Sequence, residues 1–254
     1  MNGNRGMAWL ARREVLRVSK LWTQTVLASV VSSFLFILVF GLSLGGRIKQ
    51  VEGFDYEVFI VPGLIAMAMV QAAYANNAST IYQGRSDRFI NDVLSAPMHG
   101  WQMTAGYIVG GLFRGFAIAV ALLALALPIT GVPVEQPLVL LLAVALALLG
   151  FASLGTVVGI YAESWDHTTF IQNIVILPLT FMGGVFYSVD MLASPWEEIS
   201  HFNPFFYMLQ AIRYGFLGSA DVSIWLSLGV TAALAIPCYL WAQWLFTSGR
   251  KLKA

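Results

Sequence analysis

Leu138 to Ile160 reads LVLLLAVALALLGFASLGTVVGI, without one charged side chain. A helix needs roughly twenty consecutive apolar residues to cross the hydrocarbon core of a bilayer. In lipid only helices and closed barrels satisfy their backbone groups, and a run this continuous lacks the alternation of a barrel strand. Working outward, comparable stretches occur at Trp22–Leu44, Val58–Thr80, Tyr107–Leu127, Thr168–Ser188 and Ile224–Phe246. The pattern predicts an all-α integral membrane protein with six transmembrane helices in one domain over residues 1–254. None of these stretches holds Asp or Glu. Proton-driven carriers keep such groups inside the bilayer as a relay, so the energy source is expected on another polypeptide.

Composition narrows the function classes. Hydrophobic residues make up 58% of the chain and charged residues 11%, against about 25% charged in a soluble domain. Six spans and short loops leave no room for a soluble catalytic domain. The net charge of +1 comes from charges sorted by loop, and no basic face for nucleic acid results. Cys238 is the single cysteine, which rules out an intrachain disulfide and a cysteine metal cluster. The basic N-terminus precedes an apolar run too long for a signal-peptide core and lacks an A-x-A site, so it is read as a retained first span.

Lys and Arg set the orientation. Arg5, Arg12, Arg13, Arg17 and Lys20 lie in the leader, Arg85 and Arg88 in the second connection, and Arg250, Lys251 and Lys253 in the tail. The opposite side carries Arg47, Lys49 and Arg213. By the positive-inside rule both termini face the cytoplasm. Met7, Ala11, Val15, Val18 and Trp22 gather on one side of the leader, with Arg12, Arg13, Arg17 and Lys20 on the other; Trp9, Glu14 and Leu16 break the pattern. This predicts an amphipathic interfacial helix over about 7–21; the plainer reading is a topology signal.

The second connection predicts a short cytoplasmic helix over about 86–97, begun at Ser86 or Asp87 and ended by Pro97. Phe89, Ile90, Val93 and Leu94 form its apolar face, which must pack on lipid headgroups or a partner. Gln71, Asn76 and Asn77 in the second span serve either helix–helix hydrogen bonds or a substrate path. Arg114, inside the third span, must pair, bind backbone carbonyls, line a wet cavity or snorkel. Gly106, Gly110, Gly111, Gly115, Gly155 and Gly159 supply G-x-x-x-G spacings that allow close helix approach. The external segment over about 189–223 is too rich in aromatics to lie bare in water, which predicts short helices dipping into the outer leaflet.

Several chemistries are missing. No Gly-Lys pair exists, so no P-loop can form. His99, His167 and His201 lie far apart, no zincin motif occurs, and no metal site is expected. There is no G-x-S-x-G elbow.

Leu177-Pro178-Leu179-Thr180-Phe181, Gly183-Gly184-Val185-Phe186-Tyr187, Pro195-Trp196, Asn203-Pro204 and Arg213-Tyr214-Gly215 follow one another in the fifth span and the loop after it. With Arg13-Glu14 and Gln24-Thr25 near the start, the whole chain resembles the permease subunit of a type-2 ATP-binding-cassette exporter, in the form of a small single-domain bacterial member. Ala193-Ser194 before Pro195 departs from the Leu-Pro frequent in that family. The resemblance implies a multi-pass protein of the bacterial inner membrane that is not itself an enzyme. It implies a homodimer of permeases among membrane lipids, above two copies of a separate ABC ATPase that hold ATP and Mg. The short helix carrying Arg88, Phe89, Ile90, Val93 and Leu94 would be the coupling helix seated on the ATPase. The segment with Pro195, Trp196, Asn203, Pro204 and Arg213 would be a re-entrant helical hairpin between spans five and six, shaping the exit. Gln71, Asn76, Asn77, Arg114, Gln172 and Asn173 would lie near the path of an amphipathic or lipid-linked substrate such as a lipid, glycolipid, polysaccharide or drug. The residues alone leave three rivals: an ion-gradient-driven secondary transporter, a membrane enzyme such as a lipid acyltransferase, and a structural membrane subunit.

Overall fold

The computed structural model describes residues 3–45, 48 and 50–252, and no side chain over 42–45. The charge readings at Arg47, Lys49 and Lys253 therefore lie outside the described residues. Helix α1 (Gly3–Lys20) leads through a π-helical turn (Thr23–Leu27) into α2 (Ala28–Gly45). A small hairpin, β1 (Gln50–Val51) and β2 (Phe54–Asp55), comes next; positive φ at both Glu52 and Gly53 gives the two-residue turn whose twist matches paired strands. Then follow α3 (Tyr56–Ser86), α4 (Ile90–Ser95), α5 (Gly100–Thr130) and α6 (Pro137–Tyr161). The next helical run is α7 (Trp165–Ile171), a π turn (Gln172–Ile176) and α8 (Leu177–Met182). A 3-10 turn (Val189–Met191), α9 (Ser194–His201), α10 (Pro204–Leu217) and α11 (Ile224–Ser248) complete the chain.

Among the described residues, five helices are long and apolar enough to cross a membrane: Thr23–Gly41, α3, α5, α6 and α11. The expected fifth span, Thr168–Ser188, takes a different form. Pro178 has no N–H to return to the preceding turn, and the backbone widens into the π turn just before it. The helix then stops at Met182 because Gly184 turns to φ +85°.

The hub is α3. It is buried along most of its length, whereas α2, α5 and α11 leave most of theirs outward. Gly155 and Gly159 of α6 lie against the carbonyls of Tyr74 and Ala78, and a Cβ at Gly159 would sit 2.7 Å from the Ala78 oxygen. Gly111 and Gly115 of α5 meet the carbonyls of Ala73 and Met69 in the same way. The spacings Gly111/Gly115 and Gly155/Gly159 thus mark the two interfaces that clasp α3, while Gly106 and Gly110 face α1. With 31 residues at about 1.5 Å each, α3 outreaches a hydrocarbon core about 30 Å thick. Its last turns carry α4 beyond that core. Leu10, Ile90, Tyr107, Phe246 and Leu252 share one apolar cluster there, so both chain ends pack beside α4.

Candidate functional site

The end of the molecule around α4 holds a polar centre. The buried side of α1 is Leu10, Glu14 and Val18, not the stripe from Met7 to Trp22 expected from the sequence. The face is rotated because the glycines of α5 accept α1 edge-on: Gly106 lies under Leu10 and Gly110 under Glu14. Glu14, the residue that broke the apolar pattern, is 1% exposed. Its carboxylate accepts from Arg13 Nη2 at 2.8 Å and from Arg17 Nε at 3.1 Å, and Thr80 Oγ1 approaches at 3.4 Å. Arg17 Nη2 donates to Asn76 Oδ1 at 2.9 Å, Asn76 Nδ2 to Asn77 Oδ1 at 3.1 Å, and Asn77 Nδ2 to Thr156 Oγ1 at 2.9 Å. One chain of charge-assisted and neutral hydrogen bonds therefore runs from the leader through α3 into α6. Asn76 and Asn77, candidates for the path, are buried members of this network.

The helix expected over about 86–97 is the shorter α4. Ser86 closes α3 instead of capping the next helix, and Arg88 takes φ +63° between them. Ile90 and Val93 are buried in the cluster with Leu10, Ile81, Ile160 and Phe246. Of the four apolar residues, Ile90 and Val93 are therefore supports, covered by their own chain, while Phe89 stays outward. Leu94 packs at the edge of that cluster. Arg88, Phe89, Asn91, Asp92 and Ser95 stay outward. The Arg13 guanidinium lies 5.5 Å from the ring centroids of both Phe89 and Tyr107, which ties α4 to Glu14 and hence to α3. Cavities flank α4 on two sides. One of about 580 Å³ is lined by Arg13, Arg17, Lys20, Thr80 and Asp92, and one of about 300 Å³ by Arg85, Asn91, Glu163 and Lys251.

Within the apolar body, Gln71, Gln172 and Arg114 line one cleft of about 480 Å³. Asn173, one residue on, is exposed and does not line it. Arg114 Nε donates to the Thr25 carbonyl at 3.0 Å, the backbone-carbonyl solution left open by the sequence.

At the opposite end, α9 and α10 form a helical hairpin hinged at Asn203. Asn203 Oδ1 accepts from Phe205 N at 2.9 Å and caps α10, and its Nδ2 donates to the Leu179 carbonyl at 2.7 Å. Pro204 occupies the first helical position, where its missing N–H costs nothing; Pro195 is the second residue of α9, still within the first turn, whose N–H groups have no intrahelical acceptor. Arg213 is fully buried, stacked 4.1 Å from the Phe59 ring centroid, with Nη2 on the Gly184 carbonyl at 2.8 Å. It fastens α10 to α3 and to the Gly183-Gly184 turn. Trp196 and Phe202 remain largely exposed. Asp190, Glu197 and His201 bring possible ligand atoms within 4.8 Å of one another, a grouping that the scan of histidine spacings missed. Asp190 is exposed, and Glu197 and His201 are half-buried.

Comparison with known proteins fits these elements. Residues 6–217 match the ABC-2 type transporter family. The chain is 35% identical over 242 residues to the inner membrane transport permease YadH of Escherichia coli K12, covering 95% of this chain and 94% of the relative. It is 29% identical to nodulation protein J of Rhizobium leguminosarum bv. viciae, covering 92% of each, and 26% identical to nodulation protein J of Rhizobium meliloti, covering 91% and 89%. The chain belongs to the ABC-2 type transporter family of bacterial transport permeases. It is a multi-pass inner-membrane protein and the transmembrane subunit of an ABC transporter, a class of transport subunit that associates with an ABC ATPase and is not itself a catalytic enzyme.

Proposed function

We propose that this permease exports an amphipathic or lipid-linked substrate, powered by ATP that separate subunits hydrolyse. Two ATPase copies hold ATP and Mg beneath two copies of this chain; the absence of a Gly-Lys pair supports placing the nucleotide off this polypeptide. The chain makes six passes with both termini cytoplasmic, the interrupted α7–α8 run supplying the fifth and the α9–α10 hairpin re-entering the outer leaflet. The packing of Leu10, Ile90 and Leu252 in one cluster supports an even number of passes, and the apolar inner face of the hairpin supports its burial at depth.

One observation carries the reading: α4 is braced by its own chain and wired to the hub helix. Ile90 and Val93 hold it from behind, and Arg13, Glu14, Arg17 and Asn76 link it to α3. A helix mounted this way passes on a push as a rigid body, and packed interfaces convert such a push into a switch between arrangements instead of a smooth deformation. The ATPase contact is the outward surface of α4 formed by Arg88, Phe89, Asn91 and Asp92. Replacing Phe89 by Asp, or Asn91 by Trp, abolishes co-purification of the ATPase while the permease keeps its elution profile. Normal co-purification of both variants would overturn the docking.

A further inference from the structure

The cleft that holds Arg114 has two unusual walls. One follows the π turn Thr23–Leu27, with Ser29 and Phe36 of α2, and the other includes the π turn Gln172–Ile176 and Phe181 of α8. π turns inside helices are rare and cluster at functional sites; here Gln172 of one lines the cleft, and Thr25 of the other holds Arg114 through its carbonyl. Arg114 carries five N–H donors. Among the described residues only its Nε makes a hydrogen bond, to the Thr25 carbonyl, and no described carboxylate pairs with it. A lone guanidinium at membrane depth is costly without a counter-charge or water. Gln71 adds a second deficit: its Nε2 is buried without a partner. Gln172 completes a set of donors and polar tips that converge on the cleft, while Phe36 and Phe181 supply apolar walls. Arg213, the other arginine near the body, stacks on Phe59 and bonds the Gly184 carbonyl through Nη2; it is fully buried and does not line this cleft.

We propose that this cleft binds the anionic head of an amphiphile, with Arg114 meeting a phosphate-type oxyanion, Gln71 and Gln172 meeting neighbouring oxygens, and Phe36 and Phe181 lying along the chain. A guanidinium favours such an oxyanion because its parallel N–H groups match two oxygens at once. The inference rests on the transport reading and narrows the substrate class of that same path.

The test uses the full chain in nanodiscs of phosphatidylcholine, doped with phosphatidic acid that carries a photoreactive acyl chain. Saturable labelling is expected on peptides from α2, α3 and α8, reduced by unlabelled phosphatidic acid and not by phosphatidylcholine. Arg114→Gln should cut the labelling about tenfold, as expected for loss of a charge-assisted contact, and Arg114→Lys should restore part of it. Gln71→Leu leaves no protein hydrogen bond behind and should cut labelling roughly threefold in a normally folded protein. Equal labelling of wild type, Arg114→Gln and Gln71→Leu overturns the proposal, as does full competition by inorganic phosphate, which would show that no chain is recognised. ATPase co-purification from the same membranes separates the two claims. Its retention alongside failed labelling sinks only the anionic site, and its absence in wild type sinks the transport reading.

Discussion

Glu14 is the residue whose removal should be felt most. Its buried carboxylate answers two guanidiniums, and breaking a buried pair costs about 3 to 5 kcal/mol. Arg13 and Arg17 keep partial access to solvent, which places Glu14→Ala at the lower end of that range, about 3 kcal/mol, read as a lowered thermal midpoint. Glu14→Gln, which keeps an acceptor, should lose less. Asp221, in the loop between α10 and α11, offers a pH-dependent counterpart. Burial, then the charge of Glu52, pushes its carboxyl above the ordinary range, with Arg213 opposing; Gln210 Nε2 donates to it at 2.5 Å. A raised carboxyl binds its proton more tightly in the folded state. The stability it contributes is therefore complete below the unfolded value of about 4 and declines as pH rises towards the raised value. Asp221→Asn should raise the melting temperature at pH 7 and leave it unchanged at pH 4. Glu14 also shows why residues were harder to read than helices. A carboxylate among apolar neighbours scores as a flaw in periodicity, and only tertiary contacts reveal it as a centre: Thr80, 66 positions away, reaches Glu14 itself, and Asn76, 59 positions from Arg17, takes up the guanidinium that pairs with it.

Among elements, α4 and the α3–α6 interface make separable claims. Ile90 is enclosed while Asn91 faces outward. Ile90→Asp should lower expression and thermal stability together, because it buries an unpaired charge, whereas Asn91→Trp should leave both intact and act only on the partner. At Gly155 the Tyr74 carbonyl leaves no room for a side chain. Gly155→Leu should destabilise by at least the 1 to 3 kcal/mol typical of overpacking, visible as loss of monodisperse protein in detergent. Elements were largely legible in advance. Runs such as Leu138–Ile160 are long and uncharged, and six of the glycines at helix spacing fell on real contacts. The departures have local causes. The fifth run broke at Pro178 and Gly184, and the Val51–Phe54 hairpin is too short to leave a periodic signal. The apolar face of α4 was correctly placed, but its cover was unreadable because the residues that form it, Leu10, Phe246 and Leu252, lie at both ends of the sequence.

For the whole molecule, the account describes a braced lever: an outward surface on α4, a polar linkage beneath it, a hub helix clasped by glycine contacts, and a hairpin pinned to that hub by Arg213. The apolar stretches hold no carboxylate, and the family to which the chain belongs associates with an ABC ATPase. Folding divides the side chains at α4 into buried Ile90 and Val93 and outward Arg88, Phe89, Asn91 and Asp92, a division the sequence alone did not reveal. The most direct measurement places a photoreactive amino acid at position 91 in the intact membrane and identifies what it captures. The account predicts an adduct with an ABC ATPase subunit, lost when the same probe replaces buried Val93. Capture of lipid alone at position 91, in cells where the transporter is assembled and active, would contradict it.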